Sequence, residues 1–97
     1  MRGIILSRRA ERDLRRIGRG AALDRLRAAL TALAEESPPL DIKPLTGAEP
    51  WLCLRVGDYR VILRAIDRTE ASDADSGWLV ARVVHRRDLE RAVGTVT

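Results

Sequence analysis

Over residues 51–64 apolar and polar positions alternate with period two, interrupted once by Gly57-Asp58. The pattern predicts two antiparallel strands joined by a two-residue hairpin loop, with glycine where the turn needs a positive φ. Counting outward from the turn sets Val56 against Tyr59, Arg55 against Arg60, Leu54 against Val61 and Cys53 against Ile62. Leu52, Leu54, Val56, Tyr59, Val61 and Leu63 then share one mostly apolar face, the expected core side. The other face carries Trp51, Cys53, Arg55, Arg60, Ile62 and Arg64. Two arginines directly opposite each other repel. The pairing therefore implies a neighbouring carboxylate or an anionic ligand, and a phosphate backbone is the obvious anion.

Upstream, residues 1–6 read as a short strand and Ser7 as a helix N-cap. Ala10, Leu14 and Ile17 follow at helical spacing, Glu11 precedes Arg15 in the favourable order, and Gly18 and Gly20 end this helix. Residues 21–36 form the clearest helix, with Leu23, Leu26, Leu30 and Leu33 as a stripe backed by Ala22 and Ala29. A short glycine-containing link between two such helices predicts an antiparallel helical hairpin. Ser37-Pro38-Pro39 stops the second helix. The stretch to Pro50 reads as a linker, with turn signals at Lys43-Pro44, Thr46-Gly47 and Glu49-Pro50.

Downstream, residues 67–77 are polar and acidic and are expected to be a long exposed loop. Residues 78–85 read as a third strand, with Leu79, Ala81 and Val83 alternating against Val80, Arg82 and Val84; residues 86–93 read as a short terminal helix stopped by Gly94. The expected fold class is α+β: an N-terminal strand, a helical hairpin packed on a small curved antiparallel sheet, and a short C-terminal helix.

At 97 residues the chain is expected to be one domain, 1–97. Its net charge is +4, and Lys43 is the only lysine among eighteen basic residues, so the positive charge is almost all arginine. Guanidinium groups favour planar, bidentate phosphate contacts. The basic balance suits nucleic acid, a ribosome or an acidic protein partner. A single cysteine excludes an internal disulfide and a cysteine-based zinc site, and Cys53 reads as a small strand filler. No metal or cofactor is expected, since one histidine and unspaced carboxylates make no ligand set and there is no glycine-rich phosphate loop. No apolar run approaches the ~18 residues of a membrane span, and residues 3–6 are too short a run for a signal peptide. A cytoplasmic protein is expected. Trp51, Tyr59 and Trp78 are the only aromatics, which argues against a sheet that stacks several bases.

Three groups of side chains could carry chemistry: Arg55 and Arg60 on the non-core face, His85-Arg86-Arg87 at the end of the last strand, and Asp88 and Glu90 after it. If the last strand pairs with the middle one, they meet at one end of the sheet as a basic patch with one histidine and carboxylates on its rim. Such a set suits RNA cleavage by a 2′-hydroxyl, which needs a base, cations for the phosphorane charge and an acid for the leaving oxygen. His85 has the titration range for acid or base work. The plainer readings are Arg55 paired with Asp58 or Glu49, and His85 as a strand-end cap.

The blocks Ser7-Arg-Arg-Ala-Glu-Arg-Asp-Leu14, Lys43-Pro-Leu-Thr-Gly47, Leu54-Arg-Val-Gly-Asp-Tyr-Arg-Val-Ile62 and Val83-Val-His-Arg-Arg-Asp-Leu89 resemble, in order and spacing, the RelE/ParE superfamily of bacterial type II toxins. The resemblance implies a translation inhibitor that enters the ribosomal A site and cuts mRNA, held inactive by a cognate antitoxin in a toxin–antitoxin hetero-oligomer. By motif position Arg60 matches an arginine that activates the scissile phosphate, and Arg86 one that stabilises the transition state. Arg55, Arg64, Arg87 and Lys43 are the accompanying RNA-binding candidates. The chain departs from the best-known enzymes in two places. Trp51 and Cys53 stand where those enzymes have lysines, and Glu90 stands where a catalytic tyrosine is usual. Some members use a glutamate–histidine pair, so Glu90 with His85 is the expected substitute. Two alternatives stay open: a ParE-like inhibitor of DNA gyrase, and a catalytically inactive basic binding module of the same fold.

Overall fold

The computed structural model describes residues 3–35, 41–66 and 77–97. The first two residues, the Ser37-Pro38-Pro39 helix stop and the acidic stretch 67–76 lie outside the described residues. The elements run β1 (Gly3–Leu6), α1 (Arg8–Ile17), α2 (Ala21–Ala34), β2 (Ile42–Pro44), β3 (Leu52–Val56), β4 (Tyr59–Ile66), β5 (Gly77–His85), a 3₁₀ turn (Arg86–Asp88) and α3 (Leu89–Val93). The sheet has five strands in the order β1-β5-β4-β3-β2. Neighbours from β2 to β5 are antiparallel, as expected, but β1 joins β5 in parallel and makes the sheet mixed. The stretch read as a linker contributes β2, whose Lys43 faces Cys53 of β3.

The β3–β4 register is the one expected from the Gly57-Asp58 turn, including Arg55 opposite Arg60. Gly57 has φ +58°, as such a turn requires. Ser7 starts α1: its Oγ accepts from the Ala10 amide at 3.0 Å and donates to the Ala81 carbonyl at 2.8 Å, so one hydroxyl both caps the helix and ties it to β5.

The main core lies between the helices and one sheet face. Ala10, Leu26, Leu33, Leu54, Val61, Leu63, Val80 and Val83 form it. Val80 and Val83 lie together in this core, so the simple alternation expected along β5 does not hold. A register shift between Ile62 and Leu63 is the reason: Ile62 faces Arg82 while Leu63 faces Val80, and Ala81 is the extra residue.

The opposite face is only partly open. Ile62 is fully buried there with Val84 and Ala92, and Leu45, Trp51, Leu89, Val93 and Val96 pack around them. Reading this face as non-core was therefore wrong at Ile62, because α3 folds back over it. Burying a residue of that size contributes about 1.5–3 kcal/mol, which gives the short helix its anchorage.

Among the described residues one charged pair is largely buried. Asp13 of α1 accepts from Arg82 Nε at 2.8 Å, from Arg82 Nη2 at 3.1 Å and from the Val83 amide at 2.9 Å. Arg82 Nη1 also donates to Thr95 Oγ1 at 2.9 Å. Beyond the end of β1, Ser7 and Asp13 thus satisfy backbone groups of β5 that no strand reaches, and Arg82 links α1 to the C-terminal tail.

Candidate nucleic-acid interface

The antiparallel pairing of β4 with β5 brings Tyr59 opposite His85 and Arg60 opposite Val84. The turn after β3 and the turn after β5 therefore sit at the same end of the sheet. A backbone bond joins them: the Arg86 amide donates to the Asp58 carbonyl at 2.7 Å. Arg86 Nε lies 3.8 Å from Asp58 Oδ1 in an exposed ion pair.

Arg60 is held in place at this end. Its Nη1 donates to the carbonyls of Gly57 and Tyr59, both at 2.9 Å. Nε and Nη2 keep no partner among the described residues. A guanidinium fixed through one nitrogen presents the other two as a fork suited to a phosphate. Arg55, opposite it, lies 4.0 Å from Asp41 Oδ2. Its carboxylate neighbour is thus Asp41 of the preceding segment, and not Asp58 or Glu49. The arginine pair tolerates its closeness because one member leans toward Asp41 and the other is bound by carbonyl oxygens. An exposed ion pair of this kind contributes ~1 kcal/mol or less, so Arg55 remains available to an anion.

A further arginine reaches the turn from a direction not foreseen. A Cβ on Gly57 would lie 3.5 Å from Arg25 Nη1 of α2. In the sequence α2 shows only its leucine stripe, and nothing local marks which of its arginines meets the hairpin.

His85 lies on the other side of the sheet. Residues directly opposite in an antiparallel pair share a face, and successive residues alternate. His85 therefore goes with Tyr59, and the two rings meet edge to face with centroids 5.6 Å apart. Arg60 goes with Arg55 and Val84. His85 Nδ1 accepts the Arg87 amide at 3.2 Å and caps the 3₁₀ turn. That bond requires Nδ1 to be the unprotonated nitrogen, so in the neutral ring the proton sits on Nε2. His85 lines a cleft of about 370 Å³ at the β5 edge between α1 and α3, with Arg16, Tyr59, Arg82, Asp88 and Arg91 among its walls. Asp88 lines this cleft and Glu90, exposed on α3, does not.

The other expected contacts disperse. Arg64 stacks over Trp51, its guanidinium carbon 5.6 Å from the ring centroid. Four residues along β4, it stands roughly 13 Å from Arg60. Lys43 is exposed on the β2 edge, and Arg87 is exposed in the 3₁₀ turn. Cys53 is half-buried, and burial pushes its thiol above the ordinary range; Arg60 opposes that shift and Asp41 adds to it.

The sequence matches the family described as the ParE toxin of type II toxin–antitoxin systems, parDE, over residues 4–90. Solved structures that share the fold include the following three. The RelE of a RelB–RelE antitoxin–toxin complex from Methanococcus jannaschii superposes with a TM-score of 0.59 at 19% identity, covering 90% of this chain and 95% of that one. A histidine-to-glutamine variant of YafQ from E. coli gives 0.67 at 20% identity, with 92% and 98% covered. The E. coli DinJ–YafQ complex gives 0.68 at 19% identity, again with 92% and 98% covered. No curated protein matches the sequence significantly.

Proposed function

Since the chain belongs to the ParE toxin family of type II toxin–antitoxin systems, within the RelE/ParE superfamily, we propose that this toxin is a ribosome-dependent endonuclease that cuts mRNA and is neutralised by a cognate antitoxin. The observation that carries the reading is the arginine cluster at one sheet end. Arg60 is fixed by two carbonyls with its fork unengaged, Arg55 is opposite it, and Arg86 is tied to the same turn. The likeness to RelE and YafQ structures supports it.

In this proposal the mRNA backbone crosses the Gly57-Asp58 turn. Arg60 binds the non-bridging oxygens of the scissile phosphate, and Arg86 meets the charge that grows on them as the phosphorane forms. The 2′-oxygen attacks phosphorus, a base takes its proton, the P–O5′ bond breaks and an acid protonates the departing oxygen. The products are a 2′,3′-cyclic phosphate and a 5′-hydroxyl. His85, reached around the end of β5, is the proposed acid–base group, with Asp88 as its cleft neighbour and Glu90 as the second candidate. Arg25 and Arg55 hold flanking phosphates.

The test is mRNA cleavage in a reconstituted translation reaction, with and without ribosomes, by wild type and Arg60→Ala. Ribosome-dependent cuts ending in a cyclic phosphate, lost in the variant, are expected. A folded wild type that leaves mRNA intact overturns the reading. The family match favours one specific alternative, a ParE-like action on DNA gyrase, and gyrase-dependent DNA breaks in the same preparation would single it out.

A further inference from the structure

The exposed face of α1 carries charge that nothing in the described fold answers. Arg8, Arg9, Arg12, Arg15 and Arg16 are all exposed, while Ala10 and Asp13 are buried and Leu14 and Ile17 half-buried. With 3.6 residues per turn, Arg8, Arg12 and Arg15 fall within roughly 60° at the centre of the outward face, and Arg9 and Arg16 lie on the flank toward Asp13. Glu11, on the opposite flank, is the one exposed carboxylate of the helix. None of the five arginines has an ion pair among the described residues.

Arg15 and Arg16 suit the last turn, but the rest of this arrangement opposes helix formation in two ways. Arg8 and Arg9 occupy the first turn, where the helix dipole favours anions. Arg12 stands three or four residues from each of Arg8, Arg9, Arg15 and Arg16, the spacings at which like charges repel. A polyanion outside the chain relieves both effects. At Arg16 the basic face reaches the rim of the cleft at the β5 edge, whose other charged walls are Arg91, Asp88 and the Asp13–Arg82 pair. It lies on the helical side of the sheet, away from Arg55 and Arg60.

The shape of this surface narrows the ligand. Arg8 to Arg15 spans about 10 Å, a row too long for one small anion and suited to a run of phosphates. The α1 segment has no aromatic residue, so it offers no platform for stacking unpaired bases. Double-helical RNA is bound through phosphate and shape without such stacking. We propose that the arginine face of α1 is a docking surface for the phosphate backbone of double-helical RNA, distinct from the Arg55–Arg60 surface that takes the cleaved strand. The choice of RNA over DNA rests on the endonuclease reading.

The test uses the full chain and a fluorescent, blunt-ended RNA hairpin, with anisotropy titrations across a salt series. The proteins are wild type, Arg12→Gln/Arg15→Gln and Arg60→Ala. The double variant should bind at least tenfold more weakly, and its log–log salt slope should be shallower by about 2. It should melt within a few degrees of wild type, because the like-charge neighbours it loses offset the Glu11–Arg15 spacing it gives up. Arg60→Ala, which removes a phosphate contact on the other surface, should lose less duplex affinity than the double variant. Unchanged affinity and slope in the double variant would overturn the proposal. So would equal losses in Arg60→Ala, absence of duplex binding by wild type, or tighter binding to a DNA hairpin of the same sequence. Duplex binding through α1 by a wild type that cuts no mRNA would refute the endonuclease reading and leave this surface standing.

Discussion

Replacing Asp13 with alanine should be the most damaging single change of charge in the chain. The Asp13 and Arg82 side chains are only 8% and 16% exposed. The carboxylate accepts two bonds from Arg82 and one from the Val83 amide. Asp13→Ala strands a mostly buried guanidinium with Thr95 as its remaining partner, and it also orphans the Val83 N–H. Removing one member of a buried pair costs about 3–5 kcal/mol, and an orphaned amide about 1–3 kcal/mol. The two overlap, because water admitted to one site serves both, so about 4 kcal/mol is expected. Against a total stability of about 5–15 kcal/mol, and at roughly 4–8 °C per kcal/mol for a chain this size, melting should fall by about 15–30 °C. The double change Asp13→Leu/Arg82→Met removes both charges and leaves chiefly the amide unpaired. It should recover to within about 2 kcal/mol of wild type. The bond to Asp13 raises the Arg82 pKa beyond its already high value. A raised cation stabilises the fold below its unfolded pKa and loses that contribution only as pH rises through the folded value. The arginine's share is therefore constant across the neutral range. Urea denaturation of the three proteins checks both expectations. A loss below 1 kcal/mol for Asp13→Ala, or a double variant no more stable than the single one, would refute the reasoning.

Three further outcomes follow from local geometry. Ser7→Ala should lose about 1–2 kcal/mol in denaturant titration, since one hydroxyl caps α1 and binds the Ala81 carbonyl; a loss under 0.5 kcal/mol counts against the cap. Gly77→Ala should destabilise by about 1–3 kcal/mol and speed amide exchange along β1, because its Cβ would lie 2.8 Å from the Gly3 carbonyl oxygen; unchanged exchange would show that the strands part without strain. Alkylation of Cys53 should have its pH midpoint above the ordinary 9.0. A thiol pKa raised by folding stabilises at pH below the unfolded value and is lost as pH rises through the folded one, so Cys53→Ala should flatten the alkaline fall in stability; a midpoint at or below 9.0 sinks this.

What could be read from the chain was local. The β3–β4 register follows from a two-residue turn and a period of two, which together leave one way to pair. Ser7 announces α1 through its place before the first helical apolar residue. The parts that escaped depend on distant partners. Ile42-Lys43-Pro44 is too short and too close to proline to read as a strand, and it becomes one only because β3 has an edge to offer. The extra residue at Ala81 has no glycine to mark it. Ile62 looks exposed by alternation, and α3 makes it core. Asp13 and Arg82 stand 69 positions apart and look like ordinary surface charge. At the candidate interface Arg55 and Arg60 were legible because one hairpin holds both. Arg25 was not, since its place depends on how α2 lies against the turn.

The two faces of the sheet pose the sharpest question about the proposed chemistry. Arg60 shares its face with Arg55 and Val84, whereas His85 shares the other with Tyr59. A proton donor must come within about 3 Å of the leaving oxygen, so His85 can serve only around the end of β5, where the strand gives way to the 3₁₀ turn. Its ring already has a structural task, since Nδ1 accepts the Arg87 amide. Alanine at this position would remove cap and imidazole together and decide nothing. His85→Asn separates them, because an asparagine side chain is among the best acceptors at a cap and has no useful titration. If His85 moves the proton, the asparagine variant should melt within a few degrees of wild type yet cut mRNA about 10²–10⁴-fold more slowly. Cleavage within a few-fold of wild type would reduce His85 to a cap and move the proton transfer to the face that holds Arg60.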